Sequence, residues 1–215
     1  MTRNLKVSLT VVAVVVAVAG LLLSLNRPDD PAPQAGAAPA LVRPDSHRLS
    51  TAADGKVTVV EFLDLECEAC GAAYPGVEKL RAEYSDRVTF VMRYFPIPSH
   101  RNAELAARAV EAAGQQDELE PMYRLMFENQ PIWGEQGTSQ RAVFLGFADR
   151  LGLDMAKFEA ALDDPATLRR VIEDRTDGSA LGVNGTPTFF VNGVKFTGAP
   201  TYDRLKSAVD AELAK

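Results

Sequence analysis

The sequence predicts an α/β fold with an all-helical subdomain inserted into it, preceded by one N-terminal transmembrane helix. Three observations carry this prediction. Val57 to Leu65 holds six apolar residues (Val57, Val59, Val60, Phe62, Leu63, Leu65), the pattern of a strand buried on both faces of a helix-covered parallel sheet. From residue 99 to residue 181 the apolar spacing is helical, with no strand pattern between. Thr186 to Val191, TPTFFV, then restores a strand, and Asn192-Gly193 is a strong two-residue hairpin signal.

At 215 residues and 47% hydrophobic, the chain can bury a normal core. A formal net charge of -6 argues against a nucleic-acid partner, which would require a basic face. Val7 to Leu25 is apolar apart from Ser8, Thr10, Gly20 and Ser24, long enough to cross a hydrocarbon core. Arg3 and Lys6 precede it, which places the amino end in the cytoplasm and the remainder outside it. A cleaved signal peptide is the competing reading, but its apolar region is shorter and its small-residue site follows directly. Here Ala38-Pro39-Ala40 lies well downstream, which favours an uncleaved anchor over residues 1–26. Residues 27–50 are rich in Pro and Ala and read as a tether. His47 falls within this tether and receives no role.

The buried strand runs into Cys67-Glu68-Ala69-Cys70, and an amphipathic stretch, Ala72 to Tyr84, follows at once. A C-x-x-C at a strand-to-helix junction is the signature of a thioredoxin-like redox site. The N-terminus of a helix favours a thiolate, so Cys67 is the candidate nucleophile and Cys70, one turn deeper, the resolving thiol. Inert thiols and half of a zinc site are the alternatives. Zinc wants four ligands, and the chain offers two cysteines with His47 and His100. An exported chain with both of its cysteines in one motif uses them as working groups and not as staples.

The other elements follow in order. Arg87 to Phe95 is a second strand, closed by Pro96 and Pro98. Helices are expected over Ser99 to Ala113, stopped at Gly114, and over Asp117 to Asn129. Thr138 or Ser139 can cap a helix carrying Val143, Phe144, Phe147 and Leu151. Asp154 can cap Met155 to Leu162, and Pro165 can open a helix towards Leu181. These give about five helices in succession, an insert over 99–181 within an α/β unit formed by 51–98 and 182–215. Val194 to Thr197 pairs back after the hairpin, and Thr201 to Leu213 closes the domain. Trp133 and the Met and aromatic residues of the insert are assigned to packing.

Two further sites draw attention. Glu61 shares a strand face with Val59 and Leu63, on a covered side, where desolvation would raise its pKa and let it relay a proton to Cys70. The alternative is a polar gap in which Glu61 does nothing. Asp64, on the opposite face near the strand end, is expected to be solvated. Thr186-Pro187 heads a strand; a cis bond there would turn the Thr186 backbone towards an extended substrate chain over Cys67. The residues alone leave the isomer open.

Taken together, VEFLDLECEAC, RYFPIPSHRNAELAARA and VNGTPTFFVNG resemble the DsbA-like thiol–disulfide oxidoreductases, in particular the membrane-anchored type of Gram-positive and actinobacterial envelopes. The resemblance covers residues 51–215. It implies a thioredoxin fold capped by the helical insert, a cis-Pro187, and oxidation of cysteine pairs in exported proteins by a Cys67–Cys70 disulfide with no other cofactor. It also implies reoxidation by a membrane partner similar to DsbB or the vitamin K epoxide reductase-like proteins. His100 matches a histidine of the family pattern and is assigned to packing at a helix start.

One departure stands out. Strong oxidants of the family carry Pro-His between the cysteines, where this chain has Glu68-Ala69. Losing a cationic donor and gaining a carboxylate should destabilise a Cys67 thiolate and make the disulfide less oxidising. A membrane-tethered reductase, of the cytochrome-maturation or metallochaperone type, is therefore a rival reading. An isomerase usually adds a dimerisation domain, and no segment resembles one. A copper carrier would call for Met or His ligands beside the cysteines, and none is adjacent.

Overall fold

The computed structural model describes residues 40–215. Five strands form one mixed sheet in the order β1-β3-β2-β4-β5. These are β1 His47–Ser50, β2 Val57–Leu63, β3 Val88–Tyr94, β4 Thr188–Val191 and β5 Val194–Lys195. Only β2 and β3 run parallel; β1 pairs antiparallel to β3, β4 to β2 and β5 to β4. The expectation of a parallel sheet therefore holds at its centre and not at its margins. Helices cover both faces of that centre, which is why β2 reads as a continuous apolar run.

Eight helices accompany the sheet among the described residues: α1 Glu68–Glu83, α2 Ala103–Gly114, α3 Leu119–Glu128, α4 Gln130–Trp133, α5 Arg141–Arg150, α6 Met155–Asp163, α7 Pro165–Ala180 and α8 Tyr202–Leu213. Six of them, α2 to α7, form the insert. The additional helix is α4, a single turn too short to show a period. Asp154 caps α6 by accepting from the Lys157 N–H, and Asp164 caps α7 by accepting from Ala166 ahead of Pro165. The expected cap at Thr138 or Ser139 moves one residue on, to Gln140, whose N–H is held by Asn102 Oδ1 at 2.9 Å. After the hairpin, Asn192 and Gly193 both take positive φ (45° and 82°), the geometry a primed turn demands.

Alternate residues of β2 feed two cores. Val57 and Val59 pack with Leu80, Phe189, Leu205 and Val209 under α1 and α8. Val60 and Phe62 pack with Val91, Phe95 and Phe190 on the opposite face. Helix α7 lies close there: a β-carbon at Gly178 would meet Phe95 at 2.8 Å and Phe62 at 2.9 Å. The insert has its own core around Met122, Met126, Trp133, Phe144 and Phe158, continuous with Leu63, Leu65, Cys67 and Cys70. Trp133 is fully buried, as expected.

The expected tether needs correction at its carboxyl end. Residues 40–50 are docked on the domain, and β1 lies within them. Arg93 is fully buried, donates to Ala40 O at 2.9 Å and Leu41 O at 2.8 Å, and pairs with Asp174 at 2.6 Å and Asp177 at 2.7 Å. Arg43 reaches Asp177 at 2.9 Å and Arg170 reaches Asp45 at 3.2 Å. His47 bonds Glu111 and meets Tyr94 edge-on. Pro/Ala composition does not reveal these partners, which come from a strand and two helices far along the chain. The apolar segment at 7–25 lies outside the described residues. Among those residues, no helix is long and apolar enough to cross a membrane.

Candidate functional site

Cys67 is the N-cap of α1, with extended backbone (φ -66°, ψ 121°), and Cys70 sits in the first turn. Both thiols are free and buried, while Glu68 and Ala69 between them are exposed. The Thr186–Pro187 bond is cis, and the Thr186 carbonyl accepts from the Cys67 thiol at 3.5 Å. Two chain segments more than a hundred residues apart thus converge on one sulfur.

The two thiols are driven apart in acidity. The Cys67 pKa is lowered to about 5, first by the hydrogen bond from the Cys70 thiol; burial opposes the shift, and Thr186 with the N–H groups of Cys70 and Ala69 supports it. The Thr186 hydroxyl is buried with no partner at hydrogen-bond geometry among the described residues, and its rotation can turn it towards a thiolate. Cys70 is pushed well above an ordinary thiol, first by burial, then by its bond to Cys67 and the charge of Glu61. The side chains of Glu68 and Ala69 are not among the groups that lower the Cys67 pKa, and they supply the thiolate no cationic donor. The stabilisation comes from backbone and neighbouring groups, and the exposed side chains between the cysteines take little part in it.

Glu61 is buried in the centre of β2, opposite Phe189 and Met92, and makes no hydrogen bond or ion pair among the described residues. Burial raises its pKa to about 8, with a smaller push from the charge of Glu78. It is thus largely protonated at neutral pH, and its charged form acts on Cys70.

Asp64, expected to be solvated, is buried. It accepts from the Glu66 and Ile97 N–H groups, each at 2.8 Å, and from His100 Nδ1 at 2.7 Å. Burial raises its pKa, against the pull of these three donors. Burial disfavours the His100 imidazolium, but the bond and charge of Asp64, with a smaller contribution from the Cys67 thiolate, lift its pKa above the usual value. His100 is thus tied to Asp64, three residues before Cys67 in the chain.

Sequence reasoning missed two other contributors. Glu66 is buried and accepts from the Asn102 N–H at 2.6 Å; Asn102 in turn donates to Gln136 O and Thr138 O, each at 3.1 Å. Gln130 donates to Leu65 O and Cys67 O. Single polar residues in loops and at helix starts carry no periodic signal. The Pro131 that follows Gln130 marks a helix start but not a partner.

A central strand running into a helix whose first turn carries two thiols of divergent acidity, beside a cis-proline loop, defines a thiol–disulfide oxidoreductase-like protein with a thioredoxin fold. The chain belongs to the thioredoxin family, whose description "Thioredoxin" matches residues 49–211. It is similar to a thioredoxin-like oxidoreductase from Silicibacter pomeroyi DSS-3, at 28% identity and TM-score 0.68, covering 81% of this chain and 96% of that one. It shares its fold with alpha-DsbA1 of Wolbachia pipientis, at 18% identity and TM-score 0.72, covering 80% and 93%. Among curated proteins it is similar to Na(+)/H(+) antiporter NhaA 1 of Salinispora arenicola, at 36% identity over 174 residues. That match covers 80% of this chain and 26% of the other, so the chain spans about a quarter of the length of the curated relatives it matches.

Proposed function

We propose that the chain is an extracytoplasmic thiol–disulfide oxidoreductase that oxidises cysteine pairs in exported proteins. The observation that carries this reading is the lowered pKa of the Cys67 thiol, at the N-cap of α1 against the Thr186 carbonyl, beside a resolving thiol held protonated. A stable thiolate means a stable reduced form, and hence a disulfide that tends to accept electrons.

The exchange would run in two displacements. A substrate thiolate attacks the Cys67 sulfur of the Cys67–Cys70 disulfide, and Cys70 leaves and takes up a proton. Glu61, buried and protonated at neutral pH, is the acid at hand. The second substrate thiolate then attacks the substrate sulfur of the mixed disulfide, and Cys67 departs as its stabilised thiolate. The substrate loses two electrons to form a disulfide; the protein gains them as a dithiol. Thr186 and cis-Pro187 would offer backbone groups to an extended substrate strand beside Cys67.

Reoxidation would fall to a membrane partner similar to DsbB or a vitamin K epoxide reductase-like protein, with the chain held at the membrane by residues 7–25. The occurrence of a similar domain within long chains named as antiporters supports a working place beside a membrane. A pKa near 5 lies between about 7 for thioredoxin and about 3.5 for DsbA, which favours a potential between about −270 and −120 mV. Equilibration of the full chain with glutathione buffers tests the reading. A value near −120 to −180 mV supports disulfide donation, and one near −270 mV favours the membrane-tethered reductase instead.

A further inference from the structure

Gln130 opens α4, and its side chain crosses from the helical insert to the redox turn. Its Nε2 donates to Leu65 O at 2.7 Å and to Cys67 O at 3.0 Å, so both of its N–H groups are committed to the backbone that leads into the first cysteine. Cys67 O also receives the Gly71 N–H at 3.0 Å, the first bond of α1. Gln130 Oε1 fills the space that a β-carbon at residue 71 would occupy, 2.0 Å from that position. Only glycine at 71 lets the amide pass. Helix α4 is itself well fixed: Trp133 is buried, donates to Met126 O at 2.9 Å and meets Phe144 edge-on.

We propose that Gln130 is a positioning residue for disulfide exchange: through its amide, the helical insert fixes the turn that aims the Ala69 and Cys70 N–H groups at the Cys67 sulfur. The proposal rests on the redox reading of Cys67 and Cys70. Without the amide, the Leu65 and Cys67 peptide units lose the bonds that set their tilt, and the N–H groups that follow them swing with it. The thiolate then keeps its place in the sequence but not its donors.

Absorbance at 240 nm of the reduced full chain against pH reports the Cys67 thiolate directly. Gln130→Met keeps length and apolar stem but has no donor. Gly71→Ala leaves Gln130 in place but expels its amide, and alanine is a good helix former at that position. Each should move the Cys67 midpoint upwards by about one pH unit, which is about a tenfold loss of thiolate at pH values well below the midpoint. The double variant should move it no further, because both changes remove one interaction. Unmoved midpoints in folded variants, additive shifts in the double variant, or failure of both single variants to fold would each overturn the proposal. A wild-type chain with no reversible dithiol–disulfide transition would remove the redox function, while the titration would still report whether Gln130 positions the thiol.

Discussion

Thr186 holds its carbonyl oxygen 3.5 Å from the sulfur of Cys67, although 119 residues separate the two. This contact brings the cis-proline loop to the end of α1 that carries the reactive thiol. The sulfur is thereby flanked by backbone on one side and by Cys70 on the other, and the groups that lower its pKa are Cys70, Thr186 and backbone N–H groups.

Alkylation of the reduced chain by iodoacetamide should accordingly rise with pH through a midpoint near 5 and then level off, where an ordinary cysteine would rise near about 8.5. Mass spectrometry should place the label on Cys67, with Cys70 unmodified. A midpoint above pH 8 would contradict the site geometry.

Glu61→Gln should stabilise the protein, and increasingly so as pH rises. The folded-state pKa of Glu61, about 8, is above its unfolded value, so folding binds a proton between the two. The burden on stability is absent below the unfolded pKa of about 4.5, grows through neutral pH and levels off above about 8. At pH 7 the gain should be on the order of 3 kcal/mol by urea unfolding. The same variant should release Cys70 more slowly in single-turnover exchange. Equal stability of the two proteins at pH 5 and pH 8 would refute the linkage.

Arg93→Ala should destabilise the domain by about 3–5 kcal/mol, the usual result of leaving buried charges unpaired. Asp174 and Asp177 would lose their buried partner, and Ala40 and Leu41 their donor. Urea denaturation gives the magnitude. Limited proteolysis gives the place: the first new cleavage should fall near residues 40–46.

Gly178→Ala should cost about 1–3 kcal/mol through overpacking, because the added methyl would meet two aromatic rings under 3.0 Å away. Gly146→Ala, where nothing lies within 4 Å, is the matched control and should be neutral or slightly stabilising. A cost below 0.5 kcal/mol at Gly178 by thermal or urea unfolding would show that Phe62 and Phe95 can yield.

The strands and helices that carry a long apolar period were legible from residues alone, as were the Asp154 cap, the Pro165 helix start, the Asn192-Gly193 turn and the pair of cysteines. What escaped was polar and non-local. Asp64 alternates out of the β2 pattern and reads as solvated, yet it is buried and held by His100 and the Ile97 N–H from a distant loop, with the nearby Glu66 N–H. His47 and the chain around it read as linker because their partners, Glu111 and Asp177 among them, belong to helices of the insert. Gln130 has no neighbour in sequence that announces its role. Hydrophobic burial repeats along the chain and so can be read from it, whereas a single hydrogen bond across the fold does not.

The sheet margins have a bearing on what the domain can survive. Strand β1 has four residues with a bulge between Arg48 and Ser50, and β5 has two, Val194 and Lys195. Margins this short, one irregular and one bearing a lysine, give another chain little to template on. A protein whose proposed work is to meet chains before they have folded is exposed to more sticky, unpaired backbone than most. Among the described residues the sheet margins give such a chain only a short run to pair with, so the domain can meet unfolded partners without itself becoming a template for their aggregation.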